Sequence, residues 1–157
     1  MEKEFNTFKN VIRLPHKYAA GPTYTKFYNG LKESKILGTK CPSCAATFVP
    51  ARSFCPKCHE NLDTWVEVAQ EGEVETWTYA DHDFFGMPGK APLVIALVKL
   101  DGTEGSFLHL IGGISMENAD AVKKALKKGT RVKAVWNENK KGHMLDIKYF
   151  APLSKTR

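Results

Sequence analysis

Nowhere in its 157 residues does the chain hold an apolar run of ~18 residues, so it offers no segment able to cross a bilayer as a helix. Its first ten residues, MEKEFNTFKN, lack the apolar stretch of a secretory leader and carry charge at Glu2, Lys3 and Glu4. The expected compartment is therefore reducing and cytoplasmic. There is no GxSxG nucleophile elbow, no phosphate-cradling GxxxxGK followed by Ser or Thr, and no GxGxxG, so the short signatures of those chemistries are missing. Internal repeats and low-complexity linkers are missing too. Cysteine is scarce in a telling way: the chain has four, and all of them stand in two short knuckles.

The knuckles are Cys41-Pro42-Ser43-Cys44 and Cys55-Pro56-Lys57-Cys58, with ten residues between them. Each CxxC brings two thiolates from one tight turn, and two such turns complete a tetrahedron around a metal ion. A pair of disulfides would need an oxidising compartment, which the N-terminus does not announce. Zinc is the expected ion, with a rubredoxin-type iron site as the alternative of the same geometry. A shell of four cysteines leaves no open coordination position, so the metal is read as structural. It also uses every thiol, leaving none as a nucleophile.

The net charge of +6 is unevenly spread. Residues 1–60 hold ten Lys/Arg against four Asp/Glu, whereas residues 61–157 hold thirteen of each. A basic N-terminal part suits nucleic acid, coenzyme phosphates or an acidic protein surface, and equally a solvated face.

Three blocks follow one another. Residues 1–35 read as a helical segment, with Thr23 as N-cap and Tyr24, Phe27, Tyr28 and Leu31 at i, i+3, i+4 and i+7. That stripe either packs on its own chain or meets a partner. Residues 36–64 read as a zinc ribbon whose Phe48 and Phe54 cover the metal. Residues 65–157 read as strands with one helix. Glu73–Tyr79 alternates, placing Trp77 and Tyr79 on one face, and Leu93–Leu100 is nearly continuous apolar sequence ended by Asp101-Gly102. Ser106–Ile111 follows, and then a helix capped by Ser115 that turns Ala119, Val122, Ala125 and Leu126 inward. Thr130–Trp136 and His143–Phe150 read as a last hairpin. Five strands with a helix between the third and fourth is the order of an OB barrel, with a β-sandwich fragment as the competing arrangement. The predicted fold is thus mainly β, with an N-terminal helix, a rubredoxin-like zinc ribbon and a five-stranded OB-fold barrel.

Several stretches together resemble a known family of small zinc-ribbon plus OB-fold proteins that accompany thiolases and other acyl-CoA enzymes. They are Phe27-Tyr28-Asn29-Gly30-Leu31, the two knuckles, Phe48-Val49-Pro50-Ala51-Arg52 and Gly72-Glu73-Val74-Glu75-Thr76-Trp77-Thr78. The resemblance spans about residues 24–153, and the extended N-terminal segment is similar to that of small subunits of aromatic acyl-CoA thiolases. Ala45 and His59 depart from it, because family ribbons usually carry Gly after each knuckle. The resemblance implies a non-catalytic partner of a thiolase-fold subunit in a hetero-oligomer that handles a coenzyme A thioester. It implies Arg52 and Lys57 as candidates for CoA phosphates or acidic partner residues, with an ordinary ribbon salt bridge as the plain alternative.

Five histidines, at 16, 59, 82, 109 and 143, are scattered, and His59, next to Cys58, is read as an exposed residue after the knuckle because four thiolates already fill the metal shell. Asp81–Pro92 gathers Phe84, Phe85 and Met87 between Gly and Pro residues without any period. It is read as an apolar loop meeting a partner or acyl chain, or else folding back as a barrel plug. A single-stranded nucleic-acid module is the rival function, with Trp77, Tyr79 and Trp136 as stacking faces. The charge balance of the barrel region speaks against it.

Overall fold

The computed structural model describes residues 6–153 apart from 9, 12 and 13. Helix α1 (Gly21–Lys32) is followed by a three-stranded ribbon sheet in the order β2-β1-β3, where β1 is Leu37–Lys40, β2 Thr47–Phe48 and β3 Thr64–Glu67. The rest closes into a barrel, β4-β5-β6-β8-β7, from β4 (Glu71–Ala80), β5 (Leu93–Leu100), β6 (Phe107–Ile111), β7 (Arg131–Trp136) and β8 (Ile147–Pro152). Helix α2 (Ala119–Ala125) lies between β6 and β7, in the OB order, so the sandwich alternative falls.

The barrel core follows from alternation along each strand. On β5, Val94, Ala96, Val98 and Leu100 turn inward, and on β6 Phe107, His109 and Ile111 do. β4 does not alternate cleanly as its sequence suggests. A bulge at Glu75 lets Val74 pair with Val98 while Trp77 pairs with Ala96 and Tyr79 with Val94. One extra residue there keeps all three of those β4 side chains on the inner face. Beneath them, Trp77 donates its indole N–H to the Leu126 carbonyl at 3.1 Å and Tyr79 its hydroxyl to that of Met116 at 3.0 Å. Both rings therefore tie the barrel to the α2 region and are half-buried, not free stacking faces.

The helices differ from their expected limits. α1 begins at Gly21, three residues before Tyr24, with Pro22 in its first turn and no side-chain cap, so Thr23 is not the N-cap. Its stripe divides: Phe27 and Leu31 are fully buried in the common core, while Tyr28 is half-buried and Tyr24 exposed. Phe27 meets Phe107 edge-on at 6.5 Å, so Phe27 and Leu31 face this chain and not a partner. α2 is capped by Asn118, whose side chain accepts from the Ala121 N–H at 2.8 Å, and not by Ser115. Only Val122 and Leu126 turn inward, whereas Ala119 and Ala125 are exposed. In the last hairpin, residues 144–146 form a 3-10 turn instead of strand, held by the buried Asp146.

Ribbon and barrel share one core: Ile36, Val49 and Ala51 belong to the same buried cluster as Phe27, Val74 and Phe150. The β5–β6 turn also bonds to the ribbon, with Glu104 N–H donating to the Thr47 carbonyl at 2.7 Å. β3 belongs to the ribbon sheet by pairing, Trp65 opposite Thr39, although it directly precedes the barrel.

Candidate metal centre

Both knuckles fold alike because their backbones close the same loop. Cys41 N–H bonds the Ala46 carbonyl and Ala45 N–H the Cys41 carbonyl, at 2.8 and 3.0 Å. Cys55 N–H bonds Glu60 and His59 N–H bonds Cys55, at 2.8 and 2.9 Å. Ala45 and His59 reach the left-handed region, at φ 58° and 60°, so these turns keep the glycine shape and carry a Cβ in it.

The four Sγ atoms lie within 4.8 Å of one another, the shortest separations being Cys41–Cys58 at 3.3 Å and Cys44–Cys55 at 3.6 Å. A ZnS4 tetrahedron with bonds of about 2.3 Å has edges of about 3.8 Å, so the cage fits zinc. A disulfide needs about 2.05 Å. Cys41 and Cys55 are buried against Ala46, Phe48 and Leu62, while Cys44 and Cys58 face outward. Phe48 thus covers the centre as expected, but Phe54 is exposed and does not; Leu62 takes that place. The thiols are not equivalent. Burial raises Cys55, but the N–H groups of Cys58 and Lys57 outweigh it and bring its pKa to about 6. Cys58, hydrogen-bonded to the Cys41 and Cys55 sulfurs, is pushed up to about 12. An unmetallated cage therefore holds protons on some of its sulfurs, and zinc binding must release them.

Lys57 projects from the second knuckle to Glu104, Nζ to Oε2 3.1 Å, a link between ribbon and barrel. Arg52 has its backbone locked to buried Thr39, whose hydroxyl takes the Arg52 N–H and donates to its carbonyl, both at 2.9 Å. Its exposed guanidinium lies over the Phe48 ring, 5.8 Å from the centroid. Arg52 lines a cleft of about 600 Å³ with Pro22, Tyr24, Pro50 and Phe54. Phe84 lines a separate apolar groove of about 240 Å³ on the outer barrel wall, with Pro88, Ile95, Leu108 and Leu145. Phe85 stands in solvent and Met87 is half-buried, so the loop does not plug the barrel. The candidate CoA or partner residues thus lie on two surfaces and are not gathered into one site.

One side chain of chemical interest was not singled out by sequence. His109 is buried between Phe107 and Phe150, with ring centroids 5.7 Å away on each side. Its Nε2 meets the Met144 carbonyl at 3.0 Å and its Nδ1 has no partner among the described residues. Burial holds its pKa below the ordinary imidazole value, so it is a neutral ring. Here β6 and β8 pair only at Ile111–Phe150, and the ring fills the seam. The signal lay in β6: positions 107, 109 and 111 alternate inward.

Two family models match in order: the rubredoxin-like zinc ribbon domain of ChsH2 over residues 29–63 and the C-terminal OB-fold domain of ChsH2 over residues 65–137. A Sulfolobus solfataricus crystal structure, described as a protein of unknown function from the DUF35 family, is 28% identical. It superposes with a TM-score of 0.61, covering 85% of this chain and 87% of its own. A structure described as the Ltp2–ChsH2(DUF35) aldolase shares the fold at 23% identity and a TM-score of 0.65, covering 87% of this chain and 98% of its own. Among curated proteins nothing matches significantly.

Proposed function

The chain belongs to the ChsH2 family of zinc-ribbon and OB-fold proteins, and on that premise we propose that it is a non-catalytic subunit of an acyl-CoA-processing complex of the thiolase type. The observation that carries this reading is the cage itself: all four thiols of the chain converge within 4.8 Å, as ligands of a structural zinc. A thiolase needs a free cysteine nucleophile with acid–base partners, so the attacking thiol belongs to a thiolase-fold partner. There the β-keto carbon of the CoA thioester bonds to the partner's cysteine as the Cα–Cβ bond breaks, and the departing carbanion takes a proton from the partner. The thiol of free CoA then accepts the acyl group and releases the cysteine.

This chain's share is assembly and thioester handling in the cytoplasm. Residues 1–35 and the ribbon, 36–64, dock, with Tyr24 and Tyr28 as contacts. Arg52 in its cleft and Lys57 meet CoA phosphates or acidic partner groups; residues 65–157, through Phe84, Phe85 and Met87, border the acyl portion. The aldolase named with ChsH2 in the related structure supports association with a second enzyme chain. The half-buried Trp77, Tyr79 and Trp136 are each tied by their own hydrogen bonds, which supports this reading over a nucleic-acid one.

Co-expression with a thiolase-fold subunit, followed by gel filtration and a thiolysis assay, tests the proposal. Co-elution and thiolysis that depends on this chain are expected. Separate elution with thiolysis unchanged by this chain would refute it.

A further inference from the structure

Between Glu4 and Glu33 the sequence carries no Asp or Glu, yet it holds Lys9, Arg13, Lys17, Lys26 and Lys32. The described residues of its first part, up to Ala20, form no helix or strand. They expose large apolar side chains: Phe8, Val11, Leu14 and Tyr18 have between 73% and 88% of their surface in solvent. On α1, Tyr24 is 46% exposed with its ring 6.0 Å from that of Tyr28, and Tyr18 lies beside Tyr28. Single exposed apolar residues are ordinary, but four within eleven residues of one segment are what interaction segments show. The core has no use for these four, because α1 already closes it with Phe27 and Leu31.

We propose that residues 6–20 are a docking arm that lies, with Tyr24, in an acidic, apolar-lined groove on the partner subunit. The chemistry of the arm selects that occupant. Cations without counter-ions on the same segment call for carboxylates opposite them. The aliphatic Val11 and Leu14 call for pockets, which a phosphate backbone does not offer. A membrane surface takes such segments as helices that satisfy their own backbone, and the described residues of this segment, which Pro15 interrupts, form no helix. A protein groove can supply both hydrogen bonds and pockets to an irregular chain, and tyrosines are favoured anchors in such contacts. The arm rests on the accessory-subunit reading and adds where, and by what chemistry, the subunit is held.

The test uses the full zinc-loaded chain titrated into a separately purified thiolase-fold subunit, read by calorimetry at two salt concentrations. The wild type should bind, more weakly at high salt. Changing Phe8, Val11, Leu14 and Tyr18 together to Ser should weaken binding about 100-fold or more while zinc content and melting temperature stay unchanged. Lys9→Glu with Lys17→Glu should weaken binding and flatten the salt dependence. If the Ser variant binds within about threefold of wild type, the arm is refuted while the accessory reading stands. If the wild type itself does not bind, both fall. Arm-dependent binding to anionic phosphatidylserine vesicles or to a single-stranded oligonucleotide, stronger than to the subunit, overturns the choice of a protein groove.

Discussion

At the scale of single residues, Asp146 does more for the barrel than its place in a loop implies. It is buried, and its carboxylate accepts the N–H of Lys141 on Oδ1 at 2.9 Å and those of Gly142 and His143 on Oδ2 at 2.7 and 3.1 Å. Burial raises its pKa, but the Lys141, His143 and Gly142 N–H groups outweigh that and hold it below the usual carboxylate range. Because the native value is depressed, the stabilisation is complete above the ordinary carboxylate pKa of about 3.9 and is lost as pH falls through the native one. Asp146→Asn turns an NH2 group against at least one of these donors and should cost about 2–3 kcal/mol at neutral pH. Urea unfolding at pH 7 measures that cost. Repeated below about pH 3.9, it should show a smaller gap between variant and wild type. Sequence marked the four cysteines because their spacing is local, and the alternation of β6 held a signal for His109, but Asp146 draws its importance from burial in a turn, which no spacing records.

Among the elements, the strands most open to reading were those whose partner lies next in the chain. β5 is a continuous apolar run ended by Asp101-Gly102, and the structure begins and ends it at the expected residues. β3 was harder to place, since its partner is β1, 24 residues or more away in register, and nothing in Thr64–Glu67 names that strand. The bulge at Glu75 is likewise settled across the sheet, by the fit of Trp77 and Tyr79 over Ala96 and Val94. Helix limits shifted because competing caps stood near each other: Asn118 won over Ser115, and Pro22 with Gly21 opened α1 before Thr23. Phe54 was expected over the metal on proximity alone, whereas its bridge to Asn61 turns it outward. The link between β4 and α2 is testable. Trp77→Phe keeps the ring in the barrel and deletes the bond to the Leu126 carbonyl, at a cost of about 1 kcal/mol. Hydrogen exchange should then quicken in residues 119–126 and leave β5 unchanged; uniform quickening would mean that the ring, not the bond, holds the helix.

For the whole molecule, zinc and barrel are not separate sources of stability. The cluster that holds Ile36, Val49 and Ala51 also holds the barrel residues, and Glu104 reaches the ribbon through both Thr47 and Lys57. Stripping zinc with a chelator should therefore lower one cooperative unfolding transition, by roughly 10 °C or more, given zinc-ribbon binding energies of about 10–16 kcal/mol at neutral pH. Calorimetry that shows a barrel transition at its original temperature beside an early ribbon transition would contradict this. The shared cluster also bears on inheritance. If relatives exchange halves by recombination, a ribbon from one and a barrel from another meet across this cluster. Such a hybrid would fold only if Ile36, Val49 and Ala51 arrived with barrel residues shaped to receive them, so the two family domains should be inherited as a matched set.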